Sequence, residues 1–454
     1  MSTSTPVAAG RRAGGPTGLP LVGVFPKVRR DPLGFFMECA RRYGDVTSMR
    51  LGTHDVYLLT HPDHVRQVLQ DDARAYAKGP PAARVRALFA DSLTVIDGDR
   101  WRERRRRVQP AFQPREHARF ASVVTHAAEE MLERWRSKAE RRQPIDVVTE
   151  MRRLSQTIII RACFGDVAEA ERRTLADALD VAVDHVDRRL WSPFGWLPTP
   201  TLPAGRYRRA LGAIDAFVSH MVKEAHRTSP ATGSLLAALI AAPSDGGDPI
   251  SDTDLQDELK AVLVAGHTTT ASALAWTWYV LSQHSDVRQR LEDECRAVFG
   301  GRPATMDLLA RLDYTRRVLD EVLRLYPPTW LTARTPVADD SIAGYRIAAN
   351  AMVLLSPYVT HRHPAVWEAP EAFDPDRFTR ARVAARPPFA YFPFGGGPRR
   401  CIGAAFATTE MQLIVATLAQ GCRLTPVHGV SVRPIAGLTL HPGPVLPCHL
   451  ERLH

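Results

Sequence analysis

One short segment near the C-terminal end gathers several chemically loaded residue types: Phe394-Gly395-Gly396-Gly397-Pro398-Arg399-Arg400-Cys401-Ile402-Gly403. Three glycines and a proline make a tight, extended loop that cannot be helix. The apolar-periodic run Ala404 to Leu418 then reads as a helix, so Cys401 falls at a helix N-terminus. Exposed N–H groups and the helix dipole favour a thiolate there, and Arg399 and Arg400 push the same way. A cysteine so placed is a nucleophile, a redox thiol or a metal ligand. The ordinary alternative is a buried structural cysteine after a glycine turn. Glycine loop, paired arginines and helix start coincide here, which sets that alternative aside.

Other spacings add chemistry. Ala265-Gly266-His267-Thr268-Thr269-Thr270 lies inside a long apolar helix, and Ala265 and Thr269, four apart, share a face. Gly266 adjoins that face and leaves a notch beside a hydroxyl. A glycine in a helix interior costs ~1 kcal/mol against alanine and so wants a reason, whereas a threonine bonding the carbonyl one turn back is ordinary. Trp101 and Arg105 are one turn apart, so an indole N–H and a guanidinium can reach the same anion; core filler and surface charge are the plain alternative. Glu321 and Arg324, three apart, form a helical pair of a kind worth only ~0.2–0.5 kcal/mol at a surface. His361 and His363 have the spacing of metal ligands but read as loop packing residues.

Together these residues resemble the cytochrome P-450 family. Its heme-binding loop, Phe-x-x-Gly-x-Arg-x-Cys-x-Gly, is matched by Phe394, Gly397, Arg399, Cys401 and Gly403. The resemblance spans about Leu19 to Leu446, with five motifs in family order. It implies that Cys401 is the axial thiolate on the iron of heme b, pushing electron density that favours O–O cleavage. It further implies that Arg399, Trp101 and Arg105, with Arg334, hold the heme propionates. Glu321 and Arg324, followed by Tyr326-Pro327-Pro328, match a family element. Pro375-Asp376-Arg377-Phe378 matches another, so Glu321, Arg324 and Arg377 are expected to form a buried structural network suited to bidentate arginine. The helix carrying Ala265, Gly266, Thr269 and Thr270 is expected to cross the distal heme face. There Gly266, Thr268 and Thr269 are the candidate catalytic positions, with Thr269 helping to hold water and bound oxygen. The family's acid position is Thr268 here, so protons must come through waters, Thr268 or substrate groups. Substrate contacts are expected from Tyr76 to Leu93, Val183 to Leu202, Ala265, Thr269 and Thr329 to Thr332, including Trp330 and Leu331.

These residues need a frame. Strands are expected at Val46 to Leu51 and Val56 to Thr60 around a turn, then near Tyr345 to Ile347 and Met352 to Ser356, and again after Val430. Helical periodicity marks Asp63 to Leu69, Trp101 to Val108, His117 to Ala139, Asp146 to Cys163, Arg206 to His226, Asp252 to Gln283, Val287 to Phe299 and Tyr314 to Leu325. Ser251 with Asp254 is a capping pair for the longest of these helices. Ser192 to Gly205 reads as a long proline-rich surface loop. The result is a mostly α chain with a minor β part, a single-domain cytochrome P-450 fold with its long central helix over heme. Residues 1–15 are expected to be flexible and 16–454 to form the heme domain.

Composition sets the outer limits. The 454 residues are 45% hydrophobic and 24% charged, enough for a sizeable core. Cys39, Cys163, Cys295, Cys401, Cys422 and Cys448 lie far apart with no CxxC pair. This excludes a disulfide-dense secreted module, argues against structural zinc and fits a reducing cytoplasm. Fifty-nine Lys and Arg against 49 Asp and Glu give a net charge of +10, nearly all from arginine. No basic tail or basic-aromatic repeat favours nucleic acid. The run Arg102 to Arg107, of which Arg102, Arg104, Arg106 and Arg107 cannot all face heme, suggests instead a docking surface for an acidic electron carrier. The expectation is a monomeric cytoplasmic monooxygenase without signal peptide or membrane anchor. It would take electrons from NAD(P)H through a ferredoxin-type carrier and its reductase. It would hydroxylate or epoxidise a terpenoid, fatty acid, steroid or polyketide in secondary metabolism. The alternatives are a peroxide-using or non-oxygenase heme-thiolate enzyme and a non-catalytic heme-thiolate protein.

Overall fold

The computed structural model describes residues 11–190, 204–228, 231, 233–242 and 249–453. Its axis is the helix Asp252–Gln283, called the central helix below, with the expected bounds and 32 residues. At 1.5 Å per residue it is about 48 Å long. The Ser251 hydroxyl accepts the Asp254 N–H at 3.1 Å, so the expected cap is present. Apolar on most sides, the helix must be covered on most sides. Val147–Phe164, Ala204–Thr228, Asp313–Leu325 and the helix after the cysteine loop, Ala404–Gly421, all pack on it.

Two apolar clusters do the covering. One gathers Leu179, Ile214, Leu259, Leu263 and Val264 around the first half of the central helix. The other gathers Trp135, Leu274, Trp278, Phe299, Leu323 and Ile414 around the second half. The central helix leaves the first cluster at Val264 and enters the second at Ala271, so Ala265–Thr270 belongs to neither core. Gly266 proves to have a packing role. A Cβ there would lie 2.6 Å from Ile159 Cδ1, so the glycine brings the helix Val147–Phe164 close, and its missing side chain does not open onto the Ala265 face.

The larger sheet runs in the spatial order Val46–Leu51, His54–Leu59, Met352–Leu355, Thr332–Pro336, Tyr76–Ala77. The first two form the expected hairpin, with Leu51 opposite His54. Met352–Leu355 joins in parallel and the remaining pairings are antiparallel. This sheet sets Arg334 opposite Val353 and ends with Ala77 opposite Thr335, which delivers Lys78 to the same edge.

Among the helices of ten or more residues, three escape the periodicity reading: Pro32–Tyr43, Pro80–Phe89 and Glu169–Leu190. The first two open on proline, a residue that breaks a helix interior but suits its first turn. Asp31 caps the first by accepting the Gly34 N–H at 2.9 Å. The expected substrate segment from Val183 is therefore helical through Leu190, and its remainder, 191–202, lies outside the described residues. The expected loop Ser192 to Gly205 lies there too except for Ala204 and Gly205, which begin the helix Ala204–Thr228. Of the segment expected to be flexible, residues 1–10 are outside the described set. From Arg11 the chain is fixed: Arg11 N–H donates to Gly344 O at 3.1 Å, and Ser48 N–H donates to Gly14 O at 2.8 Å. Among the described residues no helix is long and apolar enough to cross a membrane.

Candidate active site

The cysteine loop is held by its own backbone. Cys401 N–H donates to Phe394 O at 2.9 Å, and Gly395 N–H donates to Phe392 O at 2.9 Å. Gly397 has φ +63°, and a Cβ there would sit 1.8 Å from Leu69 O, so only glycine lets this loop press against Gln67–Asp71. Cys401 stands three residues before Ala404, the first helical residue. It is the one exposed cysteine among the six. It nonetheless lies deep in the fold, where burial dominates its surroundings. Burial pushes its thiol up, against the pull of the Gly403 N–H, Arg105 and Arg400. The helix start and arginines alone therefore do not make the expected thiolate, because desolvation outweighs them. A cation bonded to the sulfur would reverse that balance.

Cations converge beside the loop. The Arg399 guanidinium stacks 5.0 Å over the Trp101 ring and pairs with Asp97, whose other oxygen accepts the Lys78 N–H at 2.9 Å. The Lys78 ammonium donates to Leu93 O. Burial, and then the nearby Arg399 and Arg334, push Lys78 down to about 7. Burial and Arg399 likewise push Arg334 down to about 10. Three half-buried cations around one carboxylate form an arrangement short of negative charge, which an anionic ligand would relieve. Arg105 Nε donates to Gln109 Oε1 at 3.3 Å, and its charge acts on Cys401. Lys78 and Asp97 were not legible as site residues.

On the central helix, Ala265 is exposed although Leu263, Val264 and His267 around it are buried. An exposed alanine in the middle of a buried helix marks an internal surface. Thr268 Oγ1 donates to Val264 O at 3.0 Å and Thr269 Oγ1 to Ala265 O at 2.9 Å, the ordinary back-bonding geometry. Exposed sulfur, exposed alanine and a cation cluster at one edge suit a flat, apolar group with anionic arms. The residues present therefore fit heme.

The expected structural network is present and fully buried at its centre. Arg324 donates through Nε and Nη2 to the two Glu321 oxygens at 2.6 and 2.8 Å, and further to His361 O, Pro370 O and Ala372 O. Arg377 Nε lies 3.4 Å from Glu321. His361 extends the network to the cysteine loop. Its Nε2 accepts the Phe392 N–H at 2.9 Å, which leaves the proton on Nδ1 for Arg324 O at 3.3 Å. The packing role expected of His361 and His363 fits this geometry, with His363 Nε2 2.8 Å from Asp45.

One expectation needs correction. Trp330 is not at the site: it is buried on the sheet side, its ring 6.3 Å from Phe36 and its N–H donating to Gly437 O at 2.9 Å. Leu331 beside it stays half-buried. Within the arginine run, Arg104 turns inward: it is 4% exposed, pairs with Asp254, and lies 3.1 Å from Glu258. Glu258 in turn accepts the Leu93 N–H at 2.8 Å, so the pair ties the segment before Asp97 to the central helix. Arg102, Arg106 and Arg400 are exposed.

Known proteins share this architecture. The family model for cytochrome P450 matches residues 13–449. The chain is 36% identical over 435 residues to the cyclooctatin synthase of Streptomyces melanosporofaciens, covering 95% of this chain and 94% of that one. It is 31% identical over 428 residues to the pentalenene oxygenase of Streptomyces avermitilis, covering 94% of each. A solved cyanobacterial CYP120A1 with retinoic acid bound aligns at TM-score 0.87 and 27% identity, covering 98% of this chain and all of that one.

Proposed function

Because the chain belongs to the cytochrome P450 family and is a monooxygenase of it, we propose that it oxidises a terpenoid. Of the substrate classes compatible with an apolar site, this is the one named by relatives: cyclooctatin and pentalenene are both terpenoids. The retinoic acid held by the structural neighbour is of like size and apolarity. The single observation that carries the reading is the exposed Cys401, set deep in the fold on a glycine loop whose Arg399 joins a cation cluster.

When bound, heme with its cysteine ligand supplies the activation of O2 by two electrons. The chain's own residues do the rest. Cys401 would hold the iron, and its loop is fixed from behind by Gly397 against Leu69. Arg399, Arg334, Trp101 and Arg105, joined by Lys78, would bind the two carboxylate arms. Phe394 and Gly403 bound the sulfur's backbone pocket. Ala265 leaves room for substrate, and Leu331 adds apolar wall. Thr269, with its hydroxyl proton held on Ala265 O, presents lone pairs to the site and can accept a proton-bearing water. Exposed Arg102, Arg106 and Arg400 suit an acidic ferredoxin-type carrier fed from NAD(P)H by its reductase, in a cytoplasmic monomer.

The test is optical titration of the heme-loaded protein with terpenoid, fatty-acyl, steroid and macrolide ligands. A low- to high-spin shift with terpenoids alone is expected; a shift only with another class overturns the terpenoid reading. Ala265→Phe is expected to weaken that response more than tenfold while preserving the carbon-monoxide band of a thiolate-ligated heme. Thr268 at the acid position favours one second reading, peroxide-driven oxidation. Turnover with peroxide exceeding turnover with ferredoxin would establish it.

A further inference from the structure

The turn after the helix Pro80–Phe89 is held in a strained conformation. Ala90 has φ +51° and ψ −158°, a combination that glycine takes freely and a residue with a Cβ does not. Such a residue persists only where its surroundings over-determine it. Two consecutive acids of the central helix reach this turn. The Asp91 N–H acts on Asp257, and Glu258 Oε1 accepts the Leu93 N–H at 2.8 Å. The Leu93 carbonyl in turn accepts from the Lys78 ammonium, so both polar groups of one peptide residue are gripped. Glu258 is 3% exposed, and the same oxygen accepts from the buried Arg104 at 3.1 Å. Arg104 pairs with Asp254 one turn earlier on the central helix, which locks the carboxylate in place. The Asp91 side chain is engaged elsewhere, by Arg86 and Arg100. Leu93 is therefore the point where the central helix, the cation cluster beside the cysteine loop and the segment expected to touch substrate are joined.

We propose that Glu258 is a positioning residue for substrate: it clasps the strained turn Ala90–Leu93 to the central helix, and the clasp fixes how wide a molecule the site admits. The inference rests on the reading of Tyr76 to Leu93 as a wall of the substrate space. Glu258 acts through Leu93 and not by contact with substrate. With the carboxylate in place, the polar grip on Leu93 outweighs the cost at Ala90. Without it, Ala90 relaxes to an ordinary φ and the wall withdraws.

Deuterium exchange and azole binding, both on the full heme-loaded chain, test the clasp and its consequence separately. Glu258→Ala is expected to speed exchange of the Leu93 amide at least about tenfold. Glu258→Gln, whose amide oxygen can accept the same two donors, should speed it much less. Ala90→Gly removes the strain without touching the clasp and is expected to slow that exchange several-fold. Added to Glu258→Ala, it should restore part of the loss. Imidazole and clotrimazole both bind heme iron through an azole nitrogen, so the Soret band reports their entry. Clotrimazole is expected to bind several-fold faster to Glu258→Ala than to wild type and several-fold slower to Ala90→Gly, while the small imidazole binds all three alike. Ala90→Gly decides the matter if Glu258→Ala, which leaves Arg104 one carboxylate short, loads heme poorly. Leu93 exchange that is unchanged or faster in Ala90→Gly overturns the clasp. Exchange that responds while clotrimazole entry does not overturns the substrate-wall reading, and the positioning role with it.

Discussion

Replacing Cys401 with alanine is expected to eliminate the carbon-monoxide band of a thiolate-ligated heme and to lower turnover at least about a thousandfold. At 1.36 kcal/mol per decade, that is ~4 kcal/mol of lost transition-state stabilisation. The size follows from the geometry: among the described residues no group of three His, Cys, Asp or Glu side chains can hold a metal elsewhere. The other five cysteines are buried in apolar packing. The loop should survive the change, because its backbone bonds and its contact at Gly397 do not involve the sulfur. Heme-to-protein ratio and the reduced carbon-monoxide spectrum check it. A C401A protein that kept the thiolate band would transfer the ligand to another residue.

Replacing Arg324 with alanine is expected to have the second-largest effect, on folding rather than chemistry. Arg324 and Glu321 are both wholly buried, and the guanidinium makes five hydrogen bonds. Removing one partner leaves a buried charge uncompensated, at a cost of ~3–5 kcal/mol. The damage should travel, because Arg324 O and His361 are the link that holds Phe392 N–H at the foot of the cysteine loop. Urea unfolding is expected to show the loss, and purified R324A to carry little heme. Lysine at this position offers three donors and no planar fork, so R324K should rescue only part. As a control, Glu38→Ala, in an exposed pair with Arg41, should move stability by less than about 0.5 kcal/mol. Equal losses in R324A and E38A would contradict the structural role given to the network.

The sequence and the structure agree most where one local signal decides the outcome. The central helix was legible to the residue because a serine cap, an apolar run and a following break all coincide. The cysteine loop was legible because glycines, arginines and cysteine are contiguous. What stayed hidden depends on distant partners. Lys78 and Asp97 come to Arg399 from some 300 positions away through a sheet edge, and no spacing reports that. Glu258 and Leu93 are 165 residues apart. Arg104 looks like any member of an arginine run until Asp254 and Glu258 are found opposite it. Gly266 was singled out correctly as needing a reason, but the reason is Ile159 on a neighbouring helix. Trp330 lies within a segment expected to touch substrate, yet its N–H donates to Gly437, in the C-terminal chain.

The interruption between the two cores has a consequence for motion. The central helix is clamped by apolar side chains up to Val264 and again from Ala271, while Ala265–Thr270 adds no side chain to either cluster and meets its neighbours through the Gly266 contact with Ile159 and the Thr270 hydroxyl on Glu410. Local opening draws on the regions with least buried apolar contact. Amide hydrogens of the middle turn should therefore exchange with deuterium well before those of either flank, so that one continuous helix reports as two slow blocks joined by a fast one. A ligand that fills the space beside Ala265 should slow that middle block selectively, making its exchange rate a gauge of occupancy that needs neither electrons nor oxygen.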